Sequence, residues 1–175
     1  MARSSSSRSG TALPTATLGK RRATPFTYAP ELLEAVPLVR RGAADEPMWV
    51  SLACLRFTSL CPVTGQPDWA EITISYIPDR LLVESKSLKE YLGSFRMHGD
   101  FHEDVIRLIR DDLVAVTKAR YLEVLGCFDS RGSIAIWPYA QYARPKDAAM
   151  RTLKQQRFAA YVPGAYAAQD FGRRV

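Results

Sequence analysis

The chain has 175 residues, 47% apolar and 24% charged, which is typical of one globular domain with a sizeable core. No apolar run approaches the roughly 18 residues that a membrane-spanning helix needs, and three cysteines without a C-x-x-C pair favour reduced thiols in the cytoplasm over a disulfide framework. Of the net charge of +6, residues 1–30 contribute five basic groups and no acid, so the remaining chain holds 19 basic and 18 acidic residues. A nucleic-acid-binding body should cluster its positive charge, so this nearly neutral one argues against direct nucleic-acid binding.

The beginning of the chain is rich in Ser, Thr, Ala, Gly and Arg and has little to bury, so we expect residues 1–25 to be a disordered basic tail. An Arg/Ser-rich start without acids also resembles an organelle transit peptide, and the sequence leaves both interpretations open. Residues 26–175 then form a single domain, which begins with a connecting arm and a short helix at Glu31–Val36.

Two alternating segments predict a pair of antiparallel strands. In Met48–Phe57, one face carries Met48, Val50, Leu52 and Cys54, and the other carries Trp49, Ser51, Ala53 and Leu55. The segment Ala70–Ile77 repeats this alternation, which has the period of two expected of a half-buried strand. We expect the two strands to pair through the loop that contains Cys61.

Two helices are predicted next, each by a capping-box pattern followed by an apolar stripe. The motif Ser87-x-x-Glu90 begins the first helix. The motif Asp100-x-x-Glu103 begins the second, which continues with apolar residues at helical spacing to about Thr117.

The last part of the chain predicts strands at Tyr121–Phe128 and Ser133–Trp137, separated by a turn, and a helix at Ala148–Ala160 followed by a tail. The order strand–strand–helix–helix–strand–strand indicates an α+β fold, an antiparallel sheet with two helices on one face. Because open sheet edges pair readily with other strands, we expect neighbouring subunits to join edge to edge and close the sheet into a barrel.

The first candidate for chemistry is Cys61, which precedes a proline in a turn-rich loop where no strand face requires it. By contrast, Cys54 and Cys127 lie in predicted strands and are typical of small buried hydrophobic residues. A thiol nucleophile acts as the thiolate, so it needs a nearby base or cation, since its free pKa is about 8.5. The nearby Asp68 is either an ordinary turn aspartate or, if the loop folds back, a general acid that meets the sulfur.

Further candidates lie at the starts of the two helices. Glu103 fits a capping-box glutamate, while His102 could join Cys61 and a carboxylate around zinc, although no ligand spacing supports such a site. Lys86 and Lys89 are either solvated helix charges or a phosphate site at a helix N-terminus. Neither G-x-G-x-x-G nor G-x-x-x-x-G-K occurs, which excludes the Rossmann and P-loop fingerprints.

Three segments together resemble one enzyme family. They are Phe-Thr-Ser-Leu-Cys-Pro-Val-Thr-Gly-Gln-Pro-Asp (57–68), Val-Glu-Ser-Lys-Ser-Leu-Lys (83–89) and His-Gly-Asp-Phe-His-Glu-Asp (98–104). In this order they are similar to the NADPH-dependent 7-cyano-7-deazaguanine reductases, the nitrile reductases of queuosine biosynthesis, in their single-module branch. The likeness covers about residues 19–144. It implies the tunnelling fold, which GTP cyclohydrolase I shares and in which strand–strand–helix–helix units join into barrels.

The resemblance also implies roles for the candidate residues. Cys61 would attack the nitrile carbon to form a thioimide, Asp68 would protonate the nitrogen, and His102 would belong to the same catalytic set. Lys86 and Lys89 would contact the phosphates of NADPH. The residues implied to hold the deazaguanine base are Val83, Glu84, Ser85, His102 and Glu103.

The same resemblance implies a homo-oligomer of two stacked pentamers with active sites between subunits, a small-molecule substrate, and no metal. The alternatives are a zinc-dependent cyclohydrolase of the same fold and a basic RNA-binding module that acts through residues 1–25. Ser133 and Trp137 depart from the family pattern, which has a second glycine and a small polar residue there. We expect these two departures to affect interface packing rather than the catalytic set.

Overall fold

Two long antiparallel strands and two helices packed across them form the centre of the molecule, in a computed structural model that describes residues 26–39 and 47–161. The strands are β1 Ala35–Pro37, β2 Val50–Leu60, β3 Pro67–Ile77, β4 Leu81–Val83, β5 Tyr121–Phe128 and β6 Tyr139–Ala143. The helices are α1 Ser85–Ser94, α2 His102–Thr117 and α3 Ala148–Ala159, with 3-10 turns at Pro30–Leu32 and Phe95–Met97. The predicted tail at residues 1–25 lies outside the described residues.

The main sheet has the strand order β2-β3-β5-β6 and is antiparallel throughout, while β1 and β4 form a small second sheet. Alternate residues of β3, Ile72, Ile74 and Tyr76, are almost fully buried and belong to one core cluster with the apolar stripes of α1 and α2. Each such side chain contributes about 1.5–3 kcal/mol on burial. The predicted α+β arrangement is therefore confirmed for one chain, whereas edge pairing between subunits stays a prediction.

The close approach of α2 to the sheet depends on Gly126. A Cβ atom at this position would lie 2.6 Å from Cδ1 of Ile106, which is itself fully buried. Any larger residue would force the buried side chains of Ile106 and Phe128 to shift at the contact between α2 and β5. None of the helices in the described part of the chain is long and apolar enough to cross a membrane.

A β-bulge between Cys54 and Phe57 changes which residues of β2 face the core. Before the bulge the alternation runs as predicted, with Leu52 half-buried and Ala53 exposed. After it, Phe57 and Ser59 are buried, so the odd-numbered residues now face the helices. The strand also continues to Leu60, beyond the predicted end.

The predicted helix starts are wrong in detail. Helix α1 begins at Ser85, because the Glu84 carboxylate accepts hydrogen bonds from the amides of Lys86 (2.9 Å) and Ser87 (2.7 Å). The cap therefore lies three residues before the predicted cap, Ser87. Helix α2 begins at His102 after Phe101, with no side-chain cap.

Neither predicted capping box is formed. The hydroxyl of Ser87 donates to the Glu84 carbonyl rather than capping the helix. The short Asp100 carboxylate accepts from the very next amide, that of Phe101, so it cannot reach the amides of the first turn of α2.

Two predicted elements are replaced. Residues 133–137 form no strand; instead β6 begins at Tyr139, after Pro138, which has no N–H to donate to a ladder. The predicted helix at Glu31–Val36 is a 3-10 turn at Pro30–Leu32 followed by β1. The helix predicted at Ala148–Ala160 is confirmed, with its side-chain cap supplied by Asp147.

Candidate active site

Cys61 follows β2 in a tight loop that is fixed at both ends. Its N–H donates to the Gln66 carbonyl (2.8 Å), and its carbonyl accepts from the N–H of Gly65 (2.9 Å), which has a φ of 67°. Next to it, Leu60 bridges the segment around Gly99 just before α2. A Cβ at Gly99 would come within 3.4 Å of the backbone of Pro62. The loop is therefore held against the start of α2.

The local environment favours the thiolate of Cys61. The side chain is 7% exposed. Hydrogen bonds from the Thr64 hydroxyl, from the amides of Thr64 and Val63 and from Arg131 lower the pKa of Cys61 to about 6. The thiolate is therefore the main form of Cys61 at neutral pH.

The other two cysteines differ from Cys61. Burial raises the pKa of Cys54 and of Cys127, so both stay protonated at neutral pH. All three cysteines are free thiols. Of the three, only Cys61 lies in surroundings that activate a nucleophile.

Asp68 is an inward-facing strand residue rather than a turn aspartate. Strand β3 begins at Pro67, so Asp68 falls in the alternating series that faces the helices, and it is 3% exposed. Its Oδ1 lies 3.0 Å from Nε of Arg131. Its Oδ2 lies 3.1 Å from Nε2 of His102 but forms no hydrogen bond there.

His102 lies in the first turn of α2, directly against the sheet. The imidazole is 3% exposed and stacks on Phe128, with 3.9 Å between ring centroids and 8° between the planes. Its Nε2 is 3.4 Å from Nη2 of Arg131, and its Nδ1 is buried without a partner. When Nε2 accepts from Arg131, the ring proton is on Nδ1, which leaves a buried donor available to a ligand.

Arg131 joins the three predicted catalytic residues into one cluster. Its guanidinium contacts the sulfur of Cys61, the carboxylate of Asp68 and the ring of His102. Arg131 was not among the predicted site residues, and the expectation that Ser133 and Trp137 affect interface packing stays a prediction. The pairing of β3 with β5, which are distant in the chain, brings Arg131 there, because Ala70 pairs with Phe128 and the residues after β5 therefore lie beside the beginning of β3.

The other predicted residues are at the start of α1, except Glu103, which is exposed on α2. The N–H of Val83 donates to the Tyr76 hydroxyl (3.2 Å), and Glu84 is 7% exposed in its capping position. Ser85 and Lys89 line a cavity of about 690 Å³ between α1 and β2. Lys86 follows the cap and donates its backbone amide to it.

Within one chain, these two groups of residues are far apart. Asp68 and Tyr76 are eight residues apart on β3, which corresponds to roughly 26 Å of strand. Val83 is tied to Tyr76, so the Val83–Lys89 segment lies at the opposite end of the strand from the Cys61 cluster. A single bicyclic base cannot reach both groups in the same chain.

The described residues offer no group of three His, Cys, Asp or Glu side chains placed to hold a metal ion. The zinc-site interpretation of Cys61, His102 and a carboxylate therefore finds no ligand set in the part of the chain that the structure describes.

Comparisons with known proteins show which family the chain belongs to. A family model described as QueF-like protein matches residues 67–147. The NADPH-dependent 7-cyano-7-deazaguanine reductase of Bdellovibrio bacteriovorus is 54% identical over 142 residues, which cover 81% of this chain and 81% of that protein. The protein of the same name from Streptococcus thermophilus is 52% identical over 133 residues, 76% of this chain and 80% of its own length.

A solved structure supports the fold. The apo form of the archaeosine synthase QueF-Like matches with a TM-score of 0.53 at 21% identity, over 57% of this chain and 98% of its own. Identities above one half over about four fifths of the sequence show common descent. The chain therefore belongs to the family of NADPH-dependent 7-cyano-7-deazaguanine reductases.

Proposed function

We propose that this protein reduces the nitrile of 7-cyano-7-deazaguanine to the primary amine, using NADPH, as a step of queuosine tRNA modification in the cytoplasm. The single observation that carries the proposal is the Cys61 thiolate, with a pKa of about 6, held by Arg131 beside the buried carboxylate of Asp68. This pairing of a nucleophile with a proton donor is what covalent capture of a nitrile requires. The family relationship supports the same chemistry.

The first step joins substrate to protein. The Cys61 sulfur attacks the nitrile carbon, a C–S bond forms, and one π pair of the C≡N bond moves to nitrogen. The proton that leaves the Cys61 thiol passes to the Asp68 carboxylate, and Asp68 then donates it to that nitrogen, which gives a neutral thioimide and returns Asp68 to the carboxylate. Covalent capture replaces a difficult hydride addition to a weak electrophile by easier steps.

Reduction then requires two hydrides and one more proton. NADPH, when bound, supplies the hydrides. After the first addition and protonation at nitrogen, the nitrogen lone pair expels the Cys61 thiolate and leaves the substrate at the imine level. The second addition gives the amine. In total, one nitrile takes up two hydrides and two protons, and Cys61 is regenerated.

The buried polar atoms around the sulfur suit the edge of a deazaguanine. His102 has a buried Nδ1 without a partner, and a carboxylate can accept from the paired N–H groups of the base. We assign base recognition to His102 and Glu103 at the start of α2. Val83, Glu84 and Ser85 would supply the rest.

The cavity beside α1 fits the charge of NADPH. Lys89 lines it together with Arg56 and Arg96, so three cations and one carboxylate, Glu90, surround a volume of about 690 Å³. Phosphate groups are bound by such cations near a helix N-terminus. We propose Lys86 and Lys89 as phosphate contacts, with the cavity as the place where the chain would hold the cofactor.

A second copy of the chain would complete the site. The Cys61 cluster and the Val83–Lys89 segment are at opposite ends of β3, so one base can contact both only when they come from different subunits. The edge strand β2 exposes apolar Leu55, and Trp69 is exposed on β3 beside it. We therefore propose that edges pair between subunits, in an assembly of two stacked pentamers.

The test is the intact mass of the protein mixed with the nitrile base in the absence of NADPH. The wild type should gain the mass of one base, Cys61→Ala should gain nothing, and the matched control Cys54→Ala should behave as wild type. An unchanged wild-type mass at saturating base would refute the proposal.

A further inference from the structure

A buried serine next to the reactive sulfur has no role in the steps above. Ser59 on β2 pairs directly with Asp68 on β3. Its side chain is 0% exposed, and its Oγ has no hydrogen-bond partner. Buried hydroxyls nearly always find a partner within the protein, so one that does not calls for an explanation.

The bulge in β2 puts this hydroxyl on the reactive face. Beyond the bulge, Phe57 and Ser59 face the helices, and Cys61 follows two residues later and is also buried. Phe57 contacts Phe128, the ring on which His102 stacks. Without the one-residue shift, Ser59 would face away from the helices. The backbone irregularity therefore brings an unsatisfied hydroxyl to the face that carries Cys61, Asp68 and His102.

Three buried polar atoms on this face have no hydrogen-bond partner. Besides Oγ of Ser59, the neighbouring Asp68 has an unbonded Oδ2 and His102 an unbonded Nδ1. Ser59 and Asp68 are cross-strand partners, whose Cβ atoms are about 5 Å apart in such pairs. A small polar group placed between them could bond to both oxygens at once.

We infer that the Ser59 hydroxyl, together with Oδ2 of Asp68, binds the substrate nitrogen throughout its reduction; this inference rests on the proposed nitrile reduction. The nitrogen begins as an acceptor only, becomes both donor and acceptor in the thioimide, and ends as a donor in the amine. A hydroxyl can rotate to donate or accept, so it can bond to every one of these states. Ser59 transfers no net proton and keeps its own hydrogen. Asp68 relays the two protons that nitrogen gains, the first from the Cys61 thiol and the second from water.

The experiment compares Ser59→Ala with wild type in three measurements: adduct mass with the nitrile base alone, the rate of NADPH oxidation after the adduct has formed, and the melting temperature without ligands. Ser51→Ala is the control, because Ser51 lies on the same strand but on the opposite, exposed face. We expect Ser59→Ala to form the adduct to the wild-type level and to reduce it about a hundredfold more slowly. Its melting temperature should not fall, because no hydrogen bond is lost in the free protein.

The outcomes separate this inference from the proposed function. If the wild type forms no adduct, the proposed function fails and the inference falls with it. If the wild type forms the adduct but Ser59→Ala reduces it at the wild-type rate, only the role of Ser59 is overturned. A lower melting temperature with parallel loss of adduct would assign Ser59 to structure alone, which also overturns it.

Discussion

Two buried polar clusters lie on opposite faces of the same sheet, and they use their hydrogen-bonding capacity in opposite ways. The thiolate cluster, on the face covered by α1 and α2, comprises Ser59, Cys61, Asp68, His102 and Arg131. The carboxylate cluster, on the face covered by α3, comprises Tyr121, Glu123, Tyr139, Gln141 and Arg157. The first leaves three polar atoms without partners, and the second leaves one, Oε1 of Gln141.

The carboxylate cluster is built to keep one charge in place. Glu123 accepts from the hydroxyls of Tyr121 and Tyr139, each at 2.7 Å, and from two nitrogens of Arg157. Burial raises the pKa of Glu123, but the hydrogen bonds from Arg157 and the two tyrosines outweigh it and lower the pKa overall. A nearly saturated network of this kind fastens α3 to the sheet. The thiolate cluster, in contrast, keeps capacity for a ligand.

The largest effect should come from removing the proton donor of the thiolate cluster. Asp68→Asn keeps the size of the side chain but cannot deliver a proton, so kcat should fall about 10²- to 10⁴-fold. Steady-state NADPH oxidation with the nitrile base measures it. The control is Asp129→Asn, an exposed carboxylate in the turn after β5.

The same variant tests the assignment of Asp68 in a second way. Thioimide formation also needs a proton at nitrogen, so the adduct should form slowly in Asp68→Asn. Turnover within a few-fold of wild type would remove Asp68 from the proposed mechanism, because the carboxamide has no acidic proton to give.

The next effect should come from breaking the carboxylate cluster. Arg157→Met leaves Glu123 buried with only hydroxyl partners. We expect the unfolding free energy to fall by about 1–3 kcal/mol. This loss is smaller than that expected for a fully buried ion pair, because the Arg157 side chain is 40% exposed. Urea denaturation measures the loss, with the exposed Arg151→Met on the same helix as control. Equal stability of the two variants would mean that the cluster does not hold α3.

The pH dependence of that loss has a defined sign. Because the pKa of Glu123 is lower in the folded protein than its ordinary value of 4.5, its charge stabilises the fold at neutral pH. That contribution is lost as the pH falls through the folded-state pKa. The difference between wild type and Arg157→Met should therefore shrink below pH 4.5.

The elements with strong periodicity could be predicted from sequence, and local irregularities could not. Strand β5 and helix α3 were predicted within one residue. Their apolar residues recur with the period of a strand or a helix, and this pattern can be seen in the sequence. The bulge before Phe57 has only a weak signature: the charged Arg56 falls on the face of Leu52 and Cys54, where an apolar residue would continue the alternation. Pro67 indicated a loop, but it is the first residue of β3, a position where proline is tolerated.

The candidate site was predicted in part for a related reason. Cys61 could be singled out because its loop has no structural need for a thiol. Asp68 and His102 could be named, but their mutual contact depends on the register of β2 with β3 and on the position of α2. Arg131 was missed because it is 63 residues from Asp68 in the chain, and only the β3–β5 pairing brings it to the sulfur.

A smaller effect should follow from weakening the support of the thiolate. Thr64→Val removes the hydroxyl that contributes most to lowering the pKa of Cys61, so that pKa should rise from about 6 by about one unit. The pH profile of iodoacetamide alkylation at Cys61, followed by mass, reports the inflection. Thr64→Ser retains the hydroxyl and should keep the wild-type inflection. A profile that does not move in Thr64→Val would assign the ionisation to other groups.

The smallest effect concerns the turn that carries Arg131 to the thiolate cluster. Ser133 has a φ of 70° and is exposed. This left-handed conformation costs a residue with a side chain about 1–2 kcal/mol but costs glycine nothing. Ser133→Gly should therefore raise the unfolding free energy by about 0.5–1 kcal/mol, after the greater freedom of glycine in the unfolded chain is subtracted. Ser130→Gly, in the same turn without a positive φ, should not stabilise. If both variants lower the melting temperature equally, the left-handed backbone at Ser133 carries no strain. The contacts of Arg131 would then be what fixes the conformation of the turn.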